Sequence, residues 1–131
     1  MFGINILAVI LIVITNVLIG TLWYSPILFG KKWAELTPKK PEQLQSPTIG
    51  YLVSICTALV SAVGINILAN WVGAVNPVDG ILVGLLASLF PICVNLNSTI
   101  FSNKPIQLYF IDNGYPLMIS ILSGILFAVW R

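Results

Sequence analysis

The composition of this chain excludes a water-soluble globular protein. Of its 131 residues, 58% are hydrophobic and 8% are charged, with a mean hydropathy of +1.00, whereas soluble domains carry about 25% charged residues. The formal net charge is only +2 and the sequence contains no His, the commonest general base and a common metal ligand. We therefore expect a membrane protein without enzymatic activity, metal, cofactor or nucleic-acid partner.

The first membrane span is predicted over residues 2–29, which form an apolar stretch without a charged side chain. It exceeds the ~20 residues that a helix needs to cross a bilayer. A signal peptide would carry basic residues before a shorter apolar core, but the first basic residue here is Lys31. Pro26 removes a backbone donor, so the helix is expected to kink or end near it.

The next segment, residues 30–47, is predicted as a cytoplasmic loop that begins with a short helix. Phe29, Trp33 and Leu36 are spaced to share one helical face, and such an amphipathic helix suits the membrane interface. The residues expected to contact lipid headgroups or the interface are Lys31, Lys32, Trp33, Lys39 and Lys40.

Three further spans are predicted at 48–72, 80–101 and 106–130, with Pro91 interrupting the third. Two cysteines, Cys56 and Cys93, lie within apolar runs and are expected to act as small hydrophobic residues rather than a disulfide. The predicted fold is all-α: a single domain over residues 1–131 with four transmembrane helices in a bundle and one short interfacial helix.

The distribution of basic residues predicts the orientation in the membrane. The 30–47 loop is rich in Lys, and Lys104 lies in the turn that a four-span chain places on the same side. Basic loops face the cytoplasm. We therefore expect a multi-pass protein of the cell (inner) membrane with both termini extracytoplasmic.

Small residues recur at helical spacing and predict where the spans pack together. In the second span, one face carries Gly50, Ser54, Thr57, Ser61 and Gly64. Comparable series begin at Gly80 in the third span and at Asp112 in the fourth. Membrane helices associate through such faces, so we expect each to meet a neighbouring helix.

Asp112 is the one carboxylate predicted inside a span, about 9 Å deep at ~1.5 Å per residue. Asn95, Tyr24 and Ser54 lie at similar predicted depth. An intramembrane carboxylate is a candidate functional residue, and these four residues form a hypothetical substrate or ion site. The alternative is structural: Asp112 is hydrogen-bonded by Asn95, Ser54 or Tyr24, or paired with Lys104 or Lys31, and joins helices.

Two stretches resemble a known family. The segment WYSPILFGKKW at residues 23–33 resembles the pattern WYSPLLFGKxW of a bacterial family of small membrane proteins, domain of unknown function 1761. Residues 101–130, with the run Ile111-Asp112-Asn113-Gly114-Tyr115, are similar to the C-terminal half of that family. The family often has His where this chain has Pro116, so a proton relay at that position is not implied. The resemblance implies a four-span bacterial membrane protein and brings no established activity.

Two functions remain open at this point. The first is a small oligomeric transporter or channel component with a polar site near the cytoplasmic leaflet. The second is a non-catalytic membrane module that binds lipid or a partner membrane protein. The expected partners are the lipid bilayer and either further copies of this chain or another membrane protein.

Overall fold

The computed structural model describes residues 3–37 and 47–130, and this part of the chain is built from helices. The helices are α1 (Ile6–Trp23), α2 (Gly30–Leu36), α3 (Pro47–Trp71), α4 (Pro77–Phe101) and α5 (Ile106–Val129). Of these, α1, α3, α4 and α5 are the 4 helices long and apolar enough to cross a membrane. The predicted all-α, four-span bundle with a short helix after the first span is confirmed. The predicted headgroup contacts Lys39 and Lys40 lie outside the described residues.

The first helix is shorter than the predicted 2–29. It begins after Asn5, whose side chain accepts a hydrogen bond from the backbone N–H of Ala8, and ends at Trp23, ahead of Pro26. The next residues fold back on themselves: the N–H of Phe29 donates to the carbonyl of Trp23 over 3.0 Å. A proline cannot supply the backbone donor that would continue the helix, so the chain turns here.

Helix α4, the third span, begins earlier than predicted and is continuous through Pro91. Asn76 caps it: its side chain accepts from the N–H of Asp79 over 3.0 Å, and its amide donates to the Asp79 carboxylate over 2.9 Å. This reciprocal cap resembles a capping box and allows Pro77 to open the helix, since the first helical N–H needs no intrahelical partner. The predicted interruption at Pro91 is absent, because α4 continues to Phe101.

The closest helix pair is α4 and α5, which meet along glycines. A Cβ built on Gly124 would collide with the carbonyl oxygen of Gly80, and one on Gly84 would lie 2.5 Å from the Cα of Ile121. These positions therefore accept only a hydrogen atom, and the two backbones approach closely, as small residues allow in membrane helices.

The small-residue face of α3 does not behave as predicted. Among residues 3–37 and 47–130, nothing lies within 4 Å of a Cβ built on Gly50 or Gly64, so this face makes no tight contact with the helices described. The apolar core instead lies at the end of the bundle where Asn5 bonds Trp130, and there Ile12, Ile65 and Phe127 are buried. The opposite half of α3 separates from its neighbours and leaves Ser54 and Thr57 exposed.

Candidate functional site

The side chain of Asp112 is the centre of a polar cluster at the start of α5. Its Oδ1 atom accepts two hydrogen bonds, from the hydroxyl of Tyr24 over 2.9 Å and from the indole N–H of Trp33 over 3.1 Å. Asp112 is partly buried. We call Asp112, Tyr24 and Trp33 the aspartate cluster. It joins the end of α1, the short helix α2 and α5 through one carboxylate oxygen.

The fold-back after α1 places these donors. The indole N–H of Trp23 donates to the carbonyl of Ile111 over 2.9 Å, and this bond fixes the end of α1 on α5. Gly114 leaves room for the Trp23 ring, since a Cβ there would lie 3.1 Å from it. At Gly30, a Cβ would collide with the carbonyl of Tyr24. Glycine therefore permits the turn that carries α2, and with it Trp33, over the start of α5.

Four aromatic rings pack in a row beside the carboxylate. The rings of Tyr24 and Trp33 are 5.7 Å apart and nearly perpendicular, at 75°. The ring of Tyr115 lies 6.2 Å from that of Tyr24, at 74°. The Trp23 ring lies 6.3 Å from Tyr115. Edge-to-face pairs of this kind add about 0.5–1.5 kcal/mol beyond burial, so the rings hold one another in place.

Among the described residues, no basic side chain forms an ion pair with Asp112. Within residues 3–37 and 47–130, the ion pair formed is Lys32 with Glu35, at 3.9 Å on the exposed side of α2. Neither Lys31 nor Lys104, the predicted partners, pairs with Asp112. Burial, followed by the nearby charge of Asp112, raises the pKa of Tyr24 above the ordinary tyrosine value. Tyr24 therefore remains a hydrogen-bond donor at physiological pH.

Asn95 belongs to α4 and contacts a different side of α5 from the side that carries Asp112. Its amide donates over 2.7 Å to the side chain of Asn113, which in turn donates to the carbonyl of Tyr109 over 2.9 Å. Adjacent helix positions point about 100° apart, so Asn113 faces α4 while Asp112 faces α1 and α2. Of the predicted partners, Tyr24 contacts Asp112 and Asn95 does not.

Ser54 also lies away from Asp112, on a groove between α1, α3 and α5. Its hydroxyl donates to the carbonyl of Gly50 in its own helix, over 2.8 Å. The groove has a volume of about 220 Å³. Its polar lining residues are Asn16, Ser54, Thr57, Ser61, Tyr115, Ser120 and Ser123, and its apolar ones include Ile12, Ala58, Ile65 and Ile119.

Tyr115 connects the groove with the aspartate cluster. It lines the groove, packs against Tyr24, and places its hydroxyl within hydrogen-bond distance of both oxygens of Asn16, the backbone one at 2.8 Å. Gly20 faces this hydroxyl, and a Cβ there would lie 2.9 Å from it. Tyr115 thus joins the aspartate cluster to the groove, through a ring contact on one side and a hydrogen bond to Asn16 on the other.

Sequence reasoning missed Trp33 and Tyr115 as members of this site. Trp33 is predicted at the lipid interface, because its spacing from Phe29 and Leu36 indicates an apolar face of α2 but not what that face contacts. Tyr115 follows Asp112 by three positions, which places both on one side of a helix, and this signal was available.

Two other features of the described residues bear on chemistry. Lys31 and Lys32 are exposed on α2, and Cys56 and Cys93 are free thiols on exposed faces. Among the residues described, no group of three or more His, Cys, Asp or Glu comes together.

A family model described as protein of unknown function (DUF1761) matches residues 7–128. The chain belongs to the DUF1761 family. Neither the curated proteins nor the solved structures contain a match to it. The assignment covers all four spans of this DUF1761 protein and the aspartate cluster, but its description brings no activity. A function must therefore be inferred from the geometry of the aspartate cluster and the groove.

Proposed function

We propose that this DUF1761 protein is a non-enzymatic, small transporter or channel component for a small cation. Asp112 would hold the cation near the cytoplasmic leaflet, and the groove would be its path into the membrane. One observation carries this proposal: Tyr24, which hydrogen-bonds Asp112, packs against Tyr115, which lines the polar groove. Intramembrane carboxylates are costly and commonly mark ion pathways.

The groove suits cations better than anions because it presents oxygen atoms as acceptors. The hydroxyls of Ser54, Thr57 and Ser123 each donate to a backbone carbonyl of their own helix. A hydroxyl whose proton is used in this way can offer only lone pairs to a ligand. None of the described lining residues is Lys or Arg, so nothing basic repels a cation there.

Exposure of α3 favours a homo-oligomer. Four helices make a narrow bundle, and the groove is bordered by the half of α3 whose Ser54, Thr57 and Ser61 are exposed. Polar side chains facing lipid are unfavourable, and a second copy covering this side would enclose the path. We place the protein in the inner membrane of a bacterial cell with α2 cytoplasmic and both termini extracytoplasmic, because Lys31, Lys32 and Lys104 share that side.

Reconstituted vesicles test this proposal directly. Proteoliposomes loaded with potassium and the pH dye pyranine report proton entry when valinomycin is added, and potassium exit when a proton ionophore is added instead. We expect flux above that of empty vesicles for at least one cation, and its loss in Asp112→Asn. Asp79→Asn is the matched control, since Asp79 caps α4 away from the groove. Flux of protons, of potassium and of tetraethylammonium (loaded in place of potassium and followed with the proton ionophore) equal to that of empty vesicles, or flux unchanged by Asp112→Asn, would overturn the proposal.

A second candidate is a non-catalytic module that binds anionic lipid or a partner membrane protein. The exposure of Lys31 and Lys32 on α2 favours it, since each basic residue near an anionic surface contributes about 1 kcal/mol. Under this candidate, Lys31→Gln with Lys32→Gln lowers the amount of anionic lipid retained in native mass spectrometry, and Asp112→Asn leaves it unchanged. Equal retention by wild type and the lysine variant would eliminate this candidate.

A further inference from the structure

We infer that the aspartate cluster binds an organic ammonium group, carried either by a phospholipid headgroup or by a free alkylammonium solute. This inference rests on the proposed function and names the class of cation that the same site takes. It follows from the unused side of the carboxylate, from the rings beside it and from the position of the cluster beneath α2.

One oxygen of the Asp112 carboxylate, Oδ2, is available to a ligand. Tyr24 and Trp33 both donate to Oδ1. Within residues 3–37 and 47–130, no hydrogen-bond donor or basic side chain pairs with Oδ2. A carboxylate accepts through both oxygens, with about four lone-pair sites in all. The two donors therefore fix the orientation of Asp112 without satisfying it, and a cation can approach from the other side.

The rings favour an ammonium ion over a compact metal ion. Tyr24 and Trp33 hydrogen-bond Asp112 from the edges of their rings, and the two rings stand at 75° to each other, so aromatic side chains lie directly beside the carboxylate. Tyr115 adds a third ring beside Tyr24. A cation at the carboxylate would therefore lie next to these rings. An alkylammonium ion also contacts the rings through its apolar substituents, which a hydrated sodium ion cannot do.

The charges around the cluster match those of a zwitterionic headgroup. Lys31 and Lys32 are exposed on α2, which lies over the start of α5 and is anchored there by Trp33. Asp112 lies below this helix. An ethanolamine phospholipid carries a phosphate next to its ammonium group, so the phosphate can meet the lysines while the ammonium meets Asp112. A free alkylammonium solute would use the Asp112 half of the same site.

Binding can be measured from the tryptophans of the site. In a Trp71→Phe, Trp130→Phe background, the emission comes from Trp23 and Trp33, which both belong to this end of the bundle. The protein is placed in nanodiscs of phosphatidylglycerol, which has no amine, and titrated with tetraethylammonium chloride or with sodium chloride. We expect a saturable change with tetraethylammonium alone, and at least about a tenfold weaker midpoint in Asp112→Asn.

Two variants control the titration. Glu35→Gln removes an exposed carboxylate of α2 and should leave the midpoint unchanged. Asp112→Glu keeps the charge and should restore part of the affinity lost in Asp112→Asn. A response that does not saturate, that sodium chloride reproduces, or that Asp112→Asn retains would overturn the inference. The wild-type comparison of the two salts decides the matter even if Asp112→Asn fails to fold.

The source of the ammonium group is decided by lipid composition. Nanodiscs that also contain phosphatidylethanolamine should show a weaker tetraethylammonium midpoint if the headgroup occupies the site, and an unchanged one if the ligand is a free solute. Cation flux without an ammonium response rejects this inference and leaves the proposed function standing. An ammonium response without cation flux rejects the proposed function and keeps the site.

Discussion

The hydrogen bond from Tyr24 to Asp112 provides the sharpest test of the site's geometry. Tyr24→Phe removes the hydroxyl that donates over 2.9 Å and leaves the ring that packs on Trp33 and Tyr115. Asp112→Ala removes the acceptor. If the bond forms in the membrane, the two substitutions must be energetically coupled, so their combined effect is smaller than the sum of their single effects.

The magnitude follows from the position of the bond. Hydrogen bonds to charged groups in soluble proteins contribute about 1.5–3 kcal/mol, while side-chain bonds between membrane helices average about 0.6 and reach about 1.7 kcal/mol. Asp112 is partly exposed, which allows water to replace a lost donor. Trp33 also keeps its bond to the same oxygen when Tyr24 is changed. We therefore expect a coupling of about 1 kcal/mol.

The assay is unfolding in mixed detergent micelles with increasing sodium dodecyl sulfate, followed by far-ultraviolet circular dichroism. Tyr51→Phe serves as the control, because Tyr51 is an exposed tyrosine on α3, a helix that contributes no residue to the aspartate cluster. Its coupling to Asp112→Ala should be near zero. A coupling between Tyr24 and Asp112 below about 0.3 kcal/mol, within the additivity of independent sites, would show that this hydrogen bond does not exist.

The remaining predictions concern helix packing, the amide pair and the ionisation of Tyr24. Gly124→Ala should lower the free energy of unfolding by about 1–3 kcal/mol, because the added Cβ would collide with the backbone of α4. Gly64→Ala adds a Cβ that meets nothing within 4 Å among the described residues, so it should leave the free energy of unfolding unchanged or raise it by up to about 1 kcal/mol. Asn95→Leu should cost about 0.6–1.7 kcal/mol by removing its bond to α5, whereas Asn97→Leu, on another exposed position of α4, should change stability little. Because the native pKa of Tyr24 is raised, its contribution to stability is constant below the ordinary tyrosine pKa of about 10 and falls as the pH rises above it. The unfolding free energy of wild type should therefore fall relative to that of Tyr24→Phe between about pH 9 and about pH 11.

These predictions share one set of measurements and have separate points of failure. Unfolding in mixed micelles gives every free-energy difference. Equal stability of the Gly124 and Gly64 variants would contradict the close α4–α5 contact. Equal losses for the Asn95 and Asn97 variants would contradict the interhelical amide bond. If the difference in unfolding free energy between wild type and Tyr24→Phe does not change with pH, the Tyr24 hydroxyl is not in the partly buried environment described above.

The fold was predictable because bilayer thickness imposes a strong constraint on sequence. A stretch of ~20 apolar residues without charge has one stable form in lipid, a spanning helix. The turns followed from Pro and Gly. The ends of the helices were predicted less accurately. The N-terminal cap formed by Asn76 and Asp79 starts α4 earlier than predicted, and hydropathy alone does not indicate such a cap.

The site was only partly predictable because depth along a helix is easier to count than direction around it. Counting residues placed Tyr24 level with Asp112, and the two bond. The same count placed Asn95 there, but Asn95 bonds Asn113 on the α4 side of α5. Ser54 is separated from Asp112 because α3 diverges from the bundle, a tertiary feature with no local signal.

One carboxylate oxygen of Asp112 holds α2 over α5 by accepting the hydrogen bond from Trp33. The most direct measurement is the indole region of a nitrogen–proton correlation spectrum, since the chain has four tryptophans and Trp33→Phe assigns the resonance of interest. Asp112→Ala should move the Trp33 indole resonance away from its hydrogen-bonded position and leave that of Trp71, at the other end of the bundle, in place. A Trp33 resonance that does not respond to Asp112→Ala would contradict the account.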